Sequence, residues 1–135
     1  MDYKKDIEEK MFSKDAFSQW MGMQIIEVSK GRSVIKMEVR PEMCNGFGIA
    51  HGGITYSLAD SALAFASNTY EGVTLSIETS ISHIAPVHQG DFLVATAKEI
   101  SRSKKIGVYS VVLSCSDKVV AHFKGTVYHK SPTKK

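Results

Sequence analysis

A chain of 135 residues, 43% hydrophobic and 23% charged, has the size and composition of one ordinary globular domain, expected to span residues 1–135. A net charge of +3 with no clustered basic face argues against a nucleic-acid partner, and no stretch approaches the roughly 18 apolar residues that a membrane span needs. Cys44 and Cys115 stand far apart and outside any paired motif, so neither a disulfide framework nor a metal motif is expected. Met1 to Lys10 is charged and lacks an apolar run before a cleavage site, which makes the cytoplasm the expected compartment. A core this small gains from burial between copies, so oligomerisation is expected before any motif is read.

Residues 2–21 read as helix, with Ile7, Met11, Phe17, Trp20 and Met21 along an apolar stripe. Ser13 with Asp15 can start a fresh turn, which allows two short helices, and Gly22 is a natural stop. Gln24 to Val28 reads as a strand, and Gly31-Arg32 as a turn. Ile35, Met37 and Val39 alternate with Lys36, Glu38 and Arg40, the period of a half-buried strand that Pro41 ends. A loop from Glu42 to Ala50 follows. Gly52 to Asn68 is rich in Ala, Ser and Gly and fits a helix of about four turns. Its small side chains imply close packing on several sides.

Four further strands are expected: Val73 to Ala85, Phe92 to Ile100, Ile106 to Cys115 and Val119 to Tyr128. The short connections between them favour an antiparallel meander. Residues 130–135 read as a loose tail. Helices segregated from an antiparallel sheet define an α+β fold. A curved sheet wrapped around one long central helix would explain that helix's small residues.

The stretch from Asn45 to Asp60 carries the candidate chemistry. His51-Gly52-Gly53 lies where a loop becomes a helix, and the first N–H groups of a helix lack intrahelical partners. Glycine at Gly52 and Gly53 lets a ligand oxygen approach the backbone, which suits a carbonyl that turns negative during acyl transfer. Asp60 is an acid inside an otherwise apolar helix, a candidate general base or nucleophile. Gly52 and Asp60 are eight residues apart, which is about 12 Å along a helix. Reacting atoms must come within about 3–3.5 Å. If both residues serve one reaction they must come from different chains, as a two-fold axis between antiparallel copies of the helix would arrange.

Asn45, His51-Gly52-Gly53 and Ser57-Leu58-Ala59-Asp60 resemble the hot-dog-fold acyl-CoA thioesterases of the phenylacetate-degradation (PaaI-like) type. Met21-Gly22, the Gly31 turn, the Ala85-Pro86 bend and Gly90-Asp91 sit where that family would place them. The resemblance implies a homodimer, often paired into a homotetramer, that hydrolyses acyl-CoA. It implies Asp60 as the catalytic carboxylate and the Gly52 N–H of the partner chain as the group that polarises the thioester carbonyl. His51 would shape the loop and Asn45 would orient substrate or water. Gly53 would join the substrate-binding loop, and Ser76 falls near a water-positioning hydroxyl. No metal or cofactor is implied, since coenzyme A belongs to the substrate.

Other residues have plainer readings. Asp60 could be a structural acid bonded to Ser57 or Ser61. Arg102, Lys104 and Lys105 form either a solvated hairpin turn or a contact with the phosphates of coenzyme A. Ile54, Leu58 and Leu63 are candidate walls of an acyl pocket. His83 shares parity with Ile77 and Ile81, so it reads as a packed or interface histidine. A Cys44–His51 nucleophile pair lacks an orienting third group. Two other functions fit the same fold: a dehydratase or hydratase with His51 and Asp60 as its acid–base pair, and a non-catalytic acyl-CoA sensor.

Overall fold

The computed structural model describes residues 1–130. The expected loose tail from Ser131 onward lies outside the described residues, and Lys130 itself ends the last strand. The N-terminal segment is two short helices, α1 (Tyr3–Lys10) and α2 (Ala16–Trp20), with a 3₁₀ turn (Phe12–Lys14) between them. Asp2 caps α1 by accepting from the Lys5 N–H at 3.0 Å. Asp15 caps α2 by accepting from the Ser18 N–H at 2.9 Å and the Ser18 hydroxyl at 2.6 Å. The Ser18 hydroxyl also lies 2.9 Å from that of Ser61, which ties this segment to the long helix. Gly22 then turns the chain at φ +74°, a conformation that favours glycine.

Strands β1 (Gln24–Ser29) and β2 (Arg32–Glu38) form a hairpin around Gly31. The long helix α3 (Gly52–Ser67) follows, then β3 (Val73–His83), β4 (Phe92–Arg102), β5 (Ile106–Cys115) and β6 (Lys118–Lys130). All six strands join one antiparallel sheet in the order β1-β2-β4-β5-β6-β3. The four-strand meander expected from the sequence therefore holds only for β4 to β6. The connection over residues 84–91 does not close a hairpin. It carries the chain past the start of α3, where the Ala50 N–H donates to the Val87 carbonyl at 2.7 Å and Ile49 bridges to His88. β4 consequently pairs with β2, and β3 is left on the outer edge beside β6.

The sheet curls around α3, as in the hot-dog fold. Leu58, Ala59, Ala62, Leu63, Phe65 and Ala66 turn inward, none more than 1% exposed. They meet Ile35, Leu93, Val111 and Phe123, also fully buried. Burying an aliphatic or aromatic side chain of this kind contributes about 1.5–3 kcal/mol. Small residues on the sheet let the helix come close. A Cβ added at Gly125 would lie 2.5 Å from Leu63 Cδ2, nearer than a real contact allows. Leu58 is thus a core residue and not the wall of a pocket, which corrects its sequence reading. No helix among the described residues is long and apolar enough to cross a membrane.

At the C-terminal end of α3 a polar network fastens sheet to helix. The hydroxyls of Tyr70 and Tyr109 both donate to Glu99, at 2.9 and 3.1 Å. Burial first, and then Glu99 through its hydrogen bonds and charge, raise the pKa of both phenols above the usual range. Asn68 accepts from the Thr74 N–H at 2.9 Å and donates to the Thr74 carbonyl at 3.0 Å, so β3 leaves the helix at a set angle.

Candidate active site

The start of α3 is built by its own loop. His51 is the N-cap residue, and its Nδ1 accepts from the Gly53 N–H at 2.9 Å. The Gly53 N–H is therefore taken by the cap, while Gly53 itself lines a separate cavity with His51 and Ile54. The Gly52 N–H has no acceptor among the described residues. Asn45 Oδ1 accepts from the Phe47 N–H at 2.9 Å and folds the loop back. Its amide nitrogen makes no bond to the described residues, and Asn45 lines the same cleft as Gly52, a cavity of about 360 Å³.

Two residues at this cleft, Thr55 and His83, were given no part in the site by sequence reasoning. Thr55 sits one turn into α3, its hydroxyl 3.1 Å from the Gly52 carbonyl and 3.3 Å from His83 Nδ1. A Cβ at Gly52 would lie 3.3 Å from His83 Nε2. A side chain there would crowd the imidazole, which stands over the helix start. His83 pairs with Ala121 as Ile81 pairs with Phe123, so it shares the face of Ile81 and meets the start of α3. A β-bulge between Ser76 and Glu78 takes Ile77 out of that parity.

Asp60 opens into a different cavity, of about 220 Å³, lined by Met11, Leu63, Ala64, Leu75, Ser76 and Val127 among others. Ser76 therefore shares the cleft of Asp60. Neither Ser57 nor Ser61 bonds the carboxylate, and no donor to it lies among the described residues. Desolvation by partial burial raises its pKa above the ordinary carboxylate range. Asp60 is the one charged residue of α3 and lies on its least covered face, with Gly53, Ser57 and Ala64.

Arg102, Lys104 and Lys105 fall outside both cavities. The Arg102 guanidinium stacks 3.8 Å from the Tyr70 ring centroid, with the Lys30 ammonium 5.2 Å from the same ring. Lys104 and Lys105 are exposed in the β4–β5 turn.

This helix enclosed by a curled sheet, with a glycine start and a lone half-buried acid, belongs to a known group. Residues 47–122 match the thioesterase superfamily, and the chain belongs to it. It is 35% identical over 116 residues to the acyl-coenzyme A thioesterase PaaI of Escherichia coli, covering 85% of this chain and 83% of that one. A putative esterase of Archaeoglobus fulgidus is 36% identical over 123 residues, covering 90% of this chain and 80% of that one. The solved structure of E. coli PaaI, from the phenylacetic acid degradation operon, superimposes with a TM-score of 0.93 at 32% identity, covering 97% and 96% of the two chains.

Proposed function

We propose that the protein hydrolyses acyl-CoA thioesters in a site built by two copies of the chain. The observation that carries this reading is the division of labour along α3. A free Gly52 N–H and the Asp60 carboxylate open into separate cavities of one chain, too far apart to act on one carbonyl.

Two independent spacings support a two-fold axis that would reunite them. Gly52 and Asp60 each lie four residues from Tyr56, and Leu75 and His83 each lie four residues from Thr79. The hydroxyls of Tyr56 and Thr79 are hydrogen-bonded to each other. An axis beside that pair would set Gly52 of one copy against Asp60 of the other. It would also zip the β3 edges together as antiparallel strands. That edge is long, and Leu75 and Ile77 on it are 61% and 60% exposed, an edge that ordinarily needs covering. Two such dimers would make a homotetramer.

In this site the thioester oxygen accepts from the Gly52 N–H of one copy. Asp60 of the other removes a proton from water as the water oxygen bonds to the carbonyl carbon. The oxyanion collapses, the C–S bond breaks, and the proton held by Asp60 passes to the departing sulfur. The products are free acid and coenzyme A, and no cofactor is consumed. Ser76, which lines the Asp60 cleft, would hold that water, and the reading prefers base catalysis over direct attack by the carboxylate. Asn45 orients the substrate from the Gly52 side. The acyl group sits in the Asp60 cleft against Leu63 and Val127. Lys104 and Lys105 remain free for the phosphates of coenzyme A, with Arg102 already stacked on Tyr70. Cytoplasmic residence belongs to the same reading, in keeping with two free cysteines.

Thiol release, followed with a chromogenic thiol reagent over aryl-, medium- and long-chain acyl-CoAs, tests this. Turnover of at least one saturated ester is expected. Tight binding of an ester with no thiol release from any would instead identify an acyl-CoA sensor. Hydration of an enoyl ester without thiol release would identify a hydratase.

A further inference from the structure

The Gly52 N–H is a single donor, and a developing oxyanion is held better by two. We infer that His83 supplies the second, its Nε2–H donating to the thioester oxygen already held by Gly52 of the same copy. This rests on the hydrolase reading above and adds a catalytic residue to it.

Three observations place the imidazole for that task. Its Nε2 stands 3.3 Å from where a Gly52 Cβ would be, so it overlooks the space next to the free N–H. His83, Gly52, Asn45 and Thr55 line one cavity, so a group bound there meets all four. Thr55 sets the ring from the other side, with its hydroxyl 3.3 Å from Nδ1. The same hydroxyl donates to the Gly52 carbonyl at 3.1 Å, which also accepts the Tyr56 N–H of the first helical turn. With the hydroxyl turned to donate to Nδ1 instead, the ring proton lies on Nε2, toward the cavity, and this is the tautomer we assign. His83 ends β3, so in the paired arrangement it lies across from Leu75 of the other copy. Leu75 and Asp60 line the same cleft. The donor pair of one copy thus faces the carboxylate of the other.

The test compares His83→Phe, which keeps a flat ring without a donor, with His83→Gln, which keeps a donor, and with wild type. His83→Phe is expected to lower kcat about 10²-fold with little change in KM, and His83→Gln to recover most of that loss. The same role is read spectroscopically. In an Asp60→Asn background, where a bound ester survives, isotope-edited infrared should show the ester carbonyl band shifted to lower frequency. Adding His83→Phe should move it back toward its position in solution. A kcat unchanged in His83→Phe, or a carbonyl band that does not respond to it, overturns the role of His83 while leaving the hydrolase reading standing. A wild type that releases thiol from no ester sinks both.

Discussion

Replacing Asp60 by Asn should lower kcat by about 10²–10⁴-fold, the usual contribution of a positioned base, with the oligomer intact. The substitution keeps the side chain's shape and removes only its charge and basicity. Because burial raises the pKa of Asp60, the carboxylate protonates earlier than an ordinary aspartate as pH falls. The acid limb of kcat against pH should therefore lie above the ordinary Asp range. The same shift sets the sign of a stability effect. A carboxyl whose pKa is higher folded than unfolded stabilises the fold only below the unfolded value, and that contribution disappears as pH rises through the folded value. At neutral pH the ionised Asp60 therefore burdens the fold. Asp60→Asn should unfold at a higher temperature than wild type near pH 7, and the gap should close under acid conditions. A variant that loses activity and also melts lower at neutral pH would mark Asp60 as a structural acid.

Placing lysine at both Leu75 and Ile77 should split the assembly into monomers and abolish turnover. Both side chains are more than half exposed on the free edge of β3, so neither change disturbs the core of one chain. Lysines along such an edge oppose its pairing with a second copy, by charge repulsion and by removal of apolar contact. The monomer should keep its far-ultraviolet circular dichroism, since the sheet within one chain is unaltered. Activity should fall as far as in Asp60→Asn, because a lone chain holds only half of each site. Full turnover by a well-folded monomer would show that one chain suffices.

The elements of this fold were legible because their causes are local. Ala, Ser and Gly between Gly52 and Ser67 mark a helix that something surrounds, and the sheet does surround it. The alternation at Ile35, Met37 and Val39 marks a strand with one buried face, and all three are at most 1% exposed. Strand order was not legible. Residues 84–91 contain the same turn-forming types as a hairpin, and only the contact of Ala50 with Val87 shows that the chain crosses over. The bulge after Ser76 had no sequence signal either, which is why Ile77 falls out of step with Ile81 and His83. Its neighbour Thr55 is 28 residues away, beyond any periodicity argument. The spacing of Gly52 and Asp60 was the most informative feature. The structure does place the two in separate cavities of one chain. Sequence identifies a helix start but not which of its N–H groups the cap residue takes, here that of Gly53.

The most direct test of the two-chain site mixes two inactive proteins. One carries Asp60→Asn. The other carries Gly52→Val, whose side chain would crowd His83 and block the free N–H. Mixed dimers, isolated by two different tags, contain one site with both defects and one with neither. They should show about half of wild-type kcat per dimer, from two parents that show almost none. Mixed dimers as inactive as their parents would mean that Gly52 and Asp60 of the same chain serve the same site, or that one of them serves none.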